Sequence, residues 1–391
     1  MLFFSFASFV LYDWRSVSQS KIARRSPSGY VAGHLDHLAP ALRALPRSLQ
    51  SVWQEIRPET VKKSVFLASG HWVPSVRAIQ LFHPNAMVVV LDLESLRREM
   101  DEGNPTPSYC REGKVLVNFL FPDVAEAWAM RHQRACAAAG SKILLPSLAT
   151  LRKLDNTVSF SAHMLSRHPR LAVRTYQEPR VPCVVKNTSR DGNGKGVTLI
   201  ETAADLAVWR ELYRIRVEER GWRGGRTHIV IQEPIRGRFE YGVSAVACDG
   251  HIVALAAYRA TSSAASLFVY GAGSHELHTE AFLAGEDNHA AGGSGVGATQ
   301  QQLPPEIMRA VEDVVAGAET EGTQGLDGFI NFDIKLREEE GSSGGGGPAE
   351  GALRPVFLET NMRVAGAWFK AGSIGKAVEK YYQCALSKFN K

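Results

Sequence analysis

From residue 64 the chain alternates between short, continuously apolar runs and stretches with helical spacing. Ser64-Val-Phe-Leu-Ala-Ser-Gly70 reads as a buried strand stopped by glycine. The segment from Val73 to Phe82 is amphipathic, and Ala86-Met-Val-Val-Val-Leu-Asp92 is a second apolar strand. An Ala-rich helix over Asp123–Ala139 leads into a strand at Lys142-Ile-Leu-Leu145, ended by Pro146. Strands and helices alternating in this way predict a parallel sheet with helices packed on it. Ser69-Gly70-His71 is not a G-x-G-x-x-G, so no dinucleotide site is read there.

After Ala149 the pattern changes. It predicts a helix over Leu154–Leu165, a strand at Cys183–Asn187, a Gly-rich loop, a strand at Val197–Ile200 and a helix over Ala203–Arg216. Strands follow at His228–Gln232, Glu240–Cys248 and His251–Arg259, the last two joined by Asp249-Gly250, a strong hairpin signal. A helix from Pro305 to about Glu321 places Ile307, Val311, Val314 and Ala318 on one face. Strands at Gly328–Leu336 and Pro355–Glu359 and a helix from Ile374 complete the pattern. The fold class is therefore α/β followed by α+β. Residues 285–302 and 338–351 are Gly-rich and predict flexible loops, the second an enlarged hairpin loop.

The chain's 391 residues suggest two or three domains. Its 45% apolar and 22% charged residues exclude wholesale disorder, and a net charge of only +5 gives no case for nucleic acid. The five cysteines are scattered and lack a C-x-x-C pair. They read as reduced, buried thiols in a reducing compartment, without a zinc site or a disulfide framework. No run reaches the ~20 apolar residues of a membrane span. Residues 1–12 are almost wholly apolar, and Arg15, Lys21, Arg24 and Arg25 follow among serines with no acid between Asp13 and Asp36. That leader resembles an organellar transit peptide, with a truncated gene start or a surface anchor as the alternative reading. The expected address is cytoplasmic or organellar, not secreted.

Three segments carry candidate chemistry. Lys186 ends an apolar strand before a loop in which Gly192, Gly194 and Gly196 let backbone amides approach an anion; a plain Gly-rich turn is the other explanation. In Ile229–Glu240, the strand end at Gln232-Glu233-Pro-Ile235 offers backbone groups and an apolar wall to an aromatic base. Glu240 there is either a solvated strand residue or an acceptor for two ribose hydroxyls. Phe329-Ile-Asn-Phe-Asp333 and Phe357-Leu-Glu-Thr-Asn-Met-Arg363 bring together Asp333, Glu359 and Asn361, hard oxygen donors suited to Mg²⁺. Arg363, two further along, supplies charge for a phosphoryl group, or else pairs structurally with the glutamate.

In this order and spacing the three segments resemble the ATP-grasp superfamily, nearest its carbamoyl-phosphate-synthetase-like branch. The resemblance covers roughly residues 150–375. It implies an ATP-grasp fold, two lobes clamping ATP, preceded by a Rossmann-like pre-ATP-grasp domain. The implied division is a leader over 1–60, the α/β domain over 61–150 and the ATP-grasp domain over 151–391. Its small lobe would span about 151–230 and its large lobe about 231–391. Pro182–Lys186 with the loop of Gly192, Gly194 and Gly196 looks like the phosphate-covering hairpin, and Gln232–Glu240 like the adenine and ribose segment. Asp333, Glu359 and Asn361 look like the ligands of Mg²⁺ (or Mn²⁺), and Arg363 like the arginine near the transferred phosphoryl. Lys335 and Arg259 are further candidate cations, and Arg259 is equally well a plain surface arginine.

The resemblance implies an ADP-forming ligase that activates a carboxylate as an acyl phosphate and joins it to an amine, acting on small molecules rather than nucleic acid. Alternatives are a mycosporine-glycine-synthase-like ligase acting on a cyclic enol-type ketone, and a non-catalytic ATP-binding scaffold. Where many members carry a phosphate-binding cation, this chain reads Leu154-Asp155-Asn156. His275 and His278 do not have the spacing of a metal motif and read as a polar loop.

Overall fold

The computed structural model of the chain describes residues 53–70, 72–98, 106–187, 197–219, 229–235, 239–261, 277–282, 303–318, 326–338, 353–365, 368 and 373–389. The first body begins with α1 (Pro58–Lys63), β1 (Ser64–Ala68) and α2 (Trp72–Arg77), which tightens into a 3₁₀ turn over Ala78–Leu81. It continues with β2 (Met87–Val90), α3 (Leu93–Arg98), β3 (Val115–Phe119), α4 (Pro122–Ala138) and β4 (Lys142–Ile143). The four strands form an all-parallel sheet in the order β2-β1-β3-β4. Both faces are covered, so β1 is apolar at nearly every position: Val65 and Leu67 pack on one side, Phe66 and Ala68 on the other. Trp53 and Ile56 already belong to this core, so the body starts before residue 61.

The remainder holds two antiparallel sheets. The smaller, in the order β5-β8-β6-β7, comprises β5 (Thr175–Tyr176), β6 (Cys183–Asn187), β7 (Val197–Ile200) and β8 (Ile229–Gln232), with α7 (Ala203–Glu219) on one face. The larger runs β11-β10-β9-β12-β13, from β9 (Phe239–Cys248), β10 (His251–Thr261), β11 (Leu277–Phe282), β12 (Gly328–Glu338) and β13 (Leu353–Asn361). At the β9–β10 turn Asp249 and Gly250 have φ of 51° and 76°, the positive values that the hairpin signal requires. One face of the large sheet is mainly apolar. Tyr241, Val243, Ala245, Ile330, Phe332 and Ile334 pack there against α5 (Leu148–Leu154), α6 (Thr157–Arg167) and α8 (Pro305–Ala316). Residues 148–167 thus belong to the core beneath the large sheet rather than to the small lobe.

The opposite face is divided. Its distal half (Val246, Ala254, Ala256, Tyr258 and Phe329) shares one core with the parallel body and with α9 (Ile374–Phe389). Phe119 of β3 meets Phe329 at 5.8 Å between ring centroids, and Phe329 stacks on Tyr381 of α9 at 5.2 Å. The Tyr381 hydroxyl accepts from Leu144 N at 3.0 Å, with the carbonyl oxygens of Leu144 and Leu116 at 2.8 and 2.9 Å to receive its proton. Burial raises its pKa above the ordinary tyrosine value.

Several expectations are corrected. The strand β3, Val-Leu-Val-Asn-Phe, is not among the expected strands although it pairs with β1 along its whole length. The helix expected over Leu154–Leu165 starts later, at Thr157, because the Asn156 side chain accepts from the backbone of Val158 and Ser159 and caps it, while Leu154 ends the separate α5. Four cysteines form disulfides, Cys110–Cys136 and Cys248–Cys384, with Cα separations of 4.8 and 6.0 Å; the buried Cys183 is free. Partners 26 and 136 residues apart leave no local signature, so cysteine spacing does not argue for a reducing compartment. The expected loops at 285–302 and within 339–351 lie outside the described residues. So does the loop between β6 and β7 that carries Gly192, Gly194 and Gly196. Among the described residues no helix is long and apolar enough to cross a membrane.

Tyr381→Phe removes an acceptor from a buried backbone N–H and a donor from two buried carbonyls. It should lower unfolding free energy by about 1–3 kcal/mol in urea denaturation with little change in m-value.

Candidate functional site

The proximal half of the divided face is polar, and the strand registers explain why. Asp333 stands opposite Gly242 on one side and Glu359 on the other; Asn331 faces Ser244 and Asn361, and Lys335 faces Glu240. Directly paired residues of antiparallel strands share a face. Glu240, Ser244, Asn331, Asp333, Lys335, Glu359 and Asn361 therefore crowd one patch beside the apolar distal half. A bulge between Asp333 and Ile334 absorbs Leu358, which keeps Glu359 opposite Asp333.

Hydrogen bonds fix this floor. Ser244 Oγ donates to Asn331 Oδ1 at 2.8 Å, and Asn331 Nδ2 donates to Asp333 Oδ1 at 3.2 Å. The Thr360 hydroxyl donates to Asn331 O at 3.0 Å. Lys335 Nζ is 3.8 Å from Glu240 Oε2, and the lysine is only 2% exposed. Burial pulls the Lys335 ammonium below its usual pKa and pushes the Glu240 carboxyl above its own; the attraction between them only partly offsets the lost hydration. Asp333 is raised well above the usual carboxylate range, first by burial and then by the charges of Glu359 and Glu240.

The small sheet faces this floor. In β6, Cys183 and Val185 pack toward α7, so Val184 and Lys186 point the other way. Lys186 Nζ donates to Leu358 O at 3.1 Å and lies 4.0 Å from Glu359 Oε2. Gln232, two residues beyond Val230 on the same face of β8, is buried and donates through Nε2 to Ser161 Oγ of α6 at 3.1 Å. The Glu233 carboxylate accepts from Arg174 N at 2.9 Å through Oε1, which also pairs with Arg337, and its backbone N–H donates to Arg174 O at 2.9 Å. Ile235 packs with Val173, Val356 and Leu358 against the end of β13.

Arg363 follows β13. Its Nη2 donates to Asn361 Oδ1 at 3.1 Å, its Nε is buried without a hydrogen-bond partner, and among the described residues no carboxylate pairs with it. The alternative of an Arg363–Glu359 ion pair is thus not what the fold forms. Next to it, Met362 N donates to Asp155 Oδ1 at 3.1 Å. Asp155 and Asn156 are therefore a strand anchor and a helix cap, a structural use for the position where the family pattern carries a phosphate-binding cation.

The structure brings together Lys186, Gln232, Glu240, Asp333, Lys335, Glu359, Asn361 and Arg363. It does not bring Arg259 to them. Arg259 pairs with Tyr241, whose side chain is in the opposite, apolar core, and its guanidinium lies 4.7 Å from the Phe239 ring centroid. Nor does it place the expected phosphate loop: Gly192, Gly194 and Gly196 lie outside the described residues, and only the flanking strand ends at Asn187 and Val197 locate where that loop leaves and returns. His275 lies outside the described residues too, as does the side chain of His278. Sequence reading missed Asn331, although its place two residues before Asp333 puts it on the same face. It also missed Tyr258, whose ring covers Gly242; a Cβ on that glycine would lie 2.1 Å from Tyr258 Cε1.

As a donor set, two carboxylates and an amide oxygen suit a hard divalent cation. Among the described residues no three His, Cys, Asp or Glu side chains converge as a metal cluster. The raised Asp333 carboxyl also fixes a sign. Its folded-state pKa lies above the unfolded value, so its ionisation disfavours folding as pH rises through the unfolded pKa toward the folded one. In chelator-containing buffer, Asp333→Asn should therefore have the higher melting temperature at neutral pH. That advantage should shrink to nothing near pH 4, as read in a thermal-melt series against pH.

No sequence-family model matches the chain, and no curated protein matches it by sequence. Its structure is similar to the biotin carboxylase domain of 2-oxoglutarate carboxylase from Hydrogenobacter thermophilus, solved with MgADP, ADP and bicarbonate. The TM-score is 0.50 at 12% identity, covering 86% of this chain and 67% of that one. D-alanine–D-alanine ligase from Bacillus anthracis, complexed with ATP, gives 0.47 at 13% identity, covering 83% and 97%. L-amino acid ligase from Bacillus licheniformis gives 0.45 at 13%, covering 82% and 76%. At such identities a likeness reaches the fold and not the substrate. Two antiparallel sheets facing each other across a charged cleft, behind a parallel sheet, are thus an arrangement similar in fold to that biotin carboxylase domain.

Proposed function

We propose that the chain is an ATP-dependent, ADP-forming ligase that activates a carboxylate as an acyl phosphate and joins it to an amine or amino acid. The observation that carries this reading is the cleft itself. Lys186 reaches from the small sheet onto the end of β13, directly beside the opposed Asp333 and Glu359, with Arg363, to which no carboxylate pairs among the described residues, just past the strand's end. A cation from above, paired acids below and a second cation beyond them are what a triphosphate tail with a divalent metal needs.

In this reading the backbone at Glu233 and the side chain of Ile235 take the adenine, and Glu240 takes the ribose hydroxyls. Lys335 steadies Glu240 by partly neutralising it. Gly192, Gly194 and Gly196 would cover the phosphates. Asp333, Glu359 and Asn361 would hold Mg²⁺ or Mn²⁺, which when bound neutralises phosphate charge and polarises the γ-phosphoryl group. The acceptor carboxylate oxygen attacks the γ-phosphorus and ADP departs with the bridging oxygen. The amine nitrogen then attacks the acyl carbon, loses a proton and expels phosphate. Arg363 would stabilise the charge that builds on the phosphoryl oxygens, and Lys186 the charge on the departing ADP. The parallel body before the cleft would serve as the pre-ATP-grasp domain, and its carboxyl-terminal strand ends are where an acceptor would sit. Among the described residues of the cleft none favours an enol-type ketone over a carboxylate, and the convergence of Lys186, Asp333, Glu359 and Arg363 favours catalysis over scaffolding.

Incubation with MgATP and pooled carboxylates and amines should release ADP and phosphate in equal amounts, dependent on both pools. Glu359→Ala should reduce that release by at least about 100-fold, the scale on which removing transition-state charge stabilisation acts. A folded Glu359→Ala protein that kept its rate would remove the site assignment.

A further inference from the structure

Arg363 is held from two sides, and only one of them belongs to the cleft. On one side Asn361 accepts from Nη2. On the other, the guanidinium carbon lies 5.3 Å from the centroid of Phe121, a residue of the parallel body. Phe121 sits where β3 ends and α4 begins, beside the end of β1 in the middle of the sheet. Its backbone N–H donates to Ser69 Oγ at 2.8 Å, and Ser69 is buried with its own N–H on Phe119 O. The ring lies across Gly70. A Cβ at Gly70 would stand 2.1 Å from Phe121 Cε2, and the glycine's φ of +55° disfavours other residues as well. The order of contact is therefore Ser69 and Gly70, then the Phe121 ring, then the Arg363 guanidinium.

We propose that Phe121 is a positioning residue for the ligase reaction, its ring holding the Arg363 guanidinium in the orientation that meets the transferred phosphoryl group. The proposal rests on the reading of the cleft given above and adds to it that the parallel body sets the geometry of the phosphoryl site. Three physical features support it. A cation over an aromatic face is attracted by the ring's quadrupole while its edge N–H groups stay free for an anion. The Asn361 hydrogen bond and the Phe121 ring hold the guanidinium from two sides, which limits its rotation. The buried Nε has no acceptor among the described residues, so the guanidinium keeps hydrogen-bonding capacity that neither Phe121 nor Asn361 uses. Phe121 itself touches no reacting atom in this scheme. Its effect passes through Arg363, so it belongs to the step in which phosphoryl charge spreads and not to nucleotide binding.

The test uses the full chain with MgADP, then MgADP plus orthovanadate as the mimic of the phosphoryl group in transfer, with affinities from calorimetry. Wild type should bind MgADP and, in that state, vanadate. Phe121→Leu keeps apolar volume but loses the aromatic face; it should bind MgADP within about twofold of wild type and vanadate about 3- to 30-fold more weakly, the range of a cation–π contact. Phe121→Tyr should restore vanadate binding, and Arg363→Ala should lose vanadate binding with Phe121 present or replaced. A merely structural phenylalanine would instead lower melting temperature and both affinities together. Should Phe121→Leu fail to fold, Phe121→Met is scored in the same way. Unchanged vanadate affinity in a folded Leu or Met variant overturns the proposal and leaves the ligase reading standing. A wild-type protein that binds no MgADP overturns both.

Discussion

The structure turns on one constraint: a sheet must bury charge on half of one face while both of its other surfaces are apolar. Strands β9, β12 and β13 meet it through register. With Asp333 between Gly242 and Glu359, the alternating residues Phe332 and Ile334 fall into the core beneath. A slip of one residue would exchange every acid for an aromatic or aliphatic side chain, burying carboxylates among α5, α6 and α8. The packed face thus enforces the register that the charged face uses. The raised Asp333 and Glu240 carboxyls show the cost of the arrangement, a local destabilisation kept where charge is to be met by charge.

The same face joins the cleft to the rest of the molecule. A few residues along from Asp333 the surface becomes Phe329 and Val246, shared with Phe119 of the parallel body and Tyr381 of α9. The floor of the cleft and the joint between bodies are consecutive stretches of one strand. Attachment there, reinforced by Lys388 with Asp249 and Asp327 and by the Cys248–Cys384 bond, keeps the ends of β1 and β3 at a fixed distance from Arg363.

Much of this was legible in the sequence, for reasons particular residues make clear. Asp333 and Glu359 interrupt strongly apolar strands near their ends, and period-two alternation puts Asn361 on the same face as Glu359. Lys186 is legible for the same reason. Arg259 was not, because its strand offers no nearby charged residue to fix its parity; only pairing with Tyr241 shows that it faces the other way. The β3 strand escaped notice although Val115–Phe119 is an apolar run broken only by Asn118 and followed by Pro122-Asp123, where α4 begins. Asp155-Asn156 reads as a departure from the ATP-grasp pattern but is locally a helix cap and a strand anchor. The cysteine pairs, and the meeting of Phe121 with Arg363, join segments far apart in the chain and exist only once the fold is complete.

The joint at Tyr381 also has a consequence for how the protein is made. The parallel body leaves the ribosome early, but the hydroxyl that caps Leu116 and Leu144 lies 265 residues beyond Leu116. At about 5–20 residues per second, the aromatic side of that body waits on the order of 13–50 s for its cover. During synthesis Phe119 waits for Phe329, on which it packs, and Leu116 and Leu144 wait for the Tyr381 hydroxyl, so the helix α9 completes a surface that the parallel strands began.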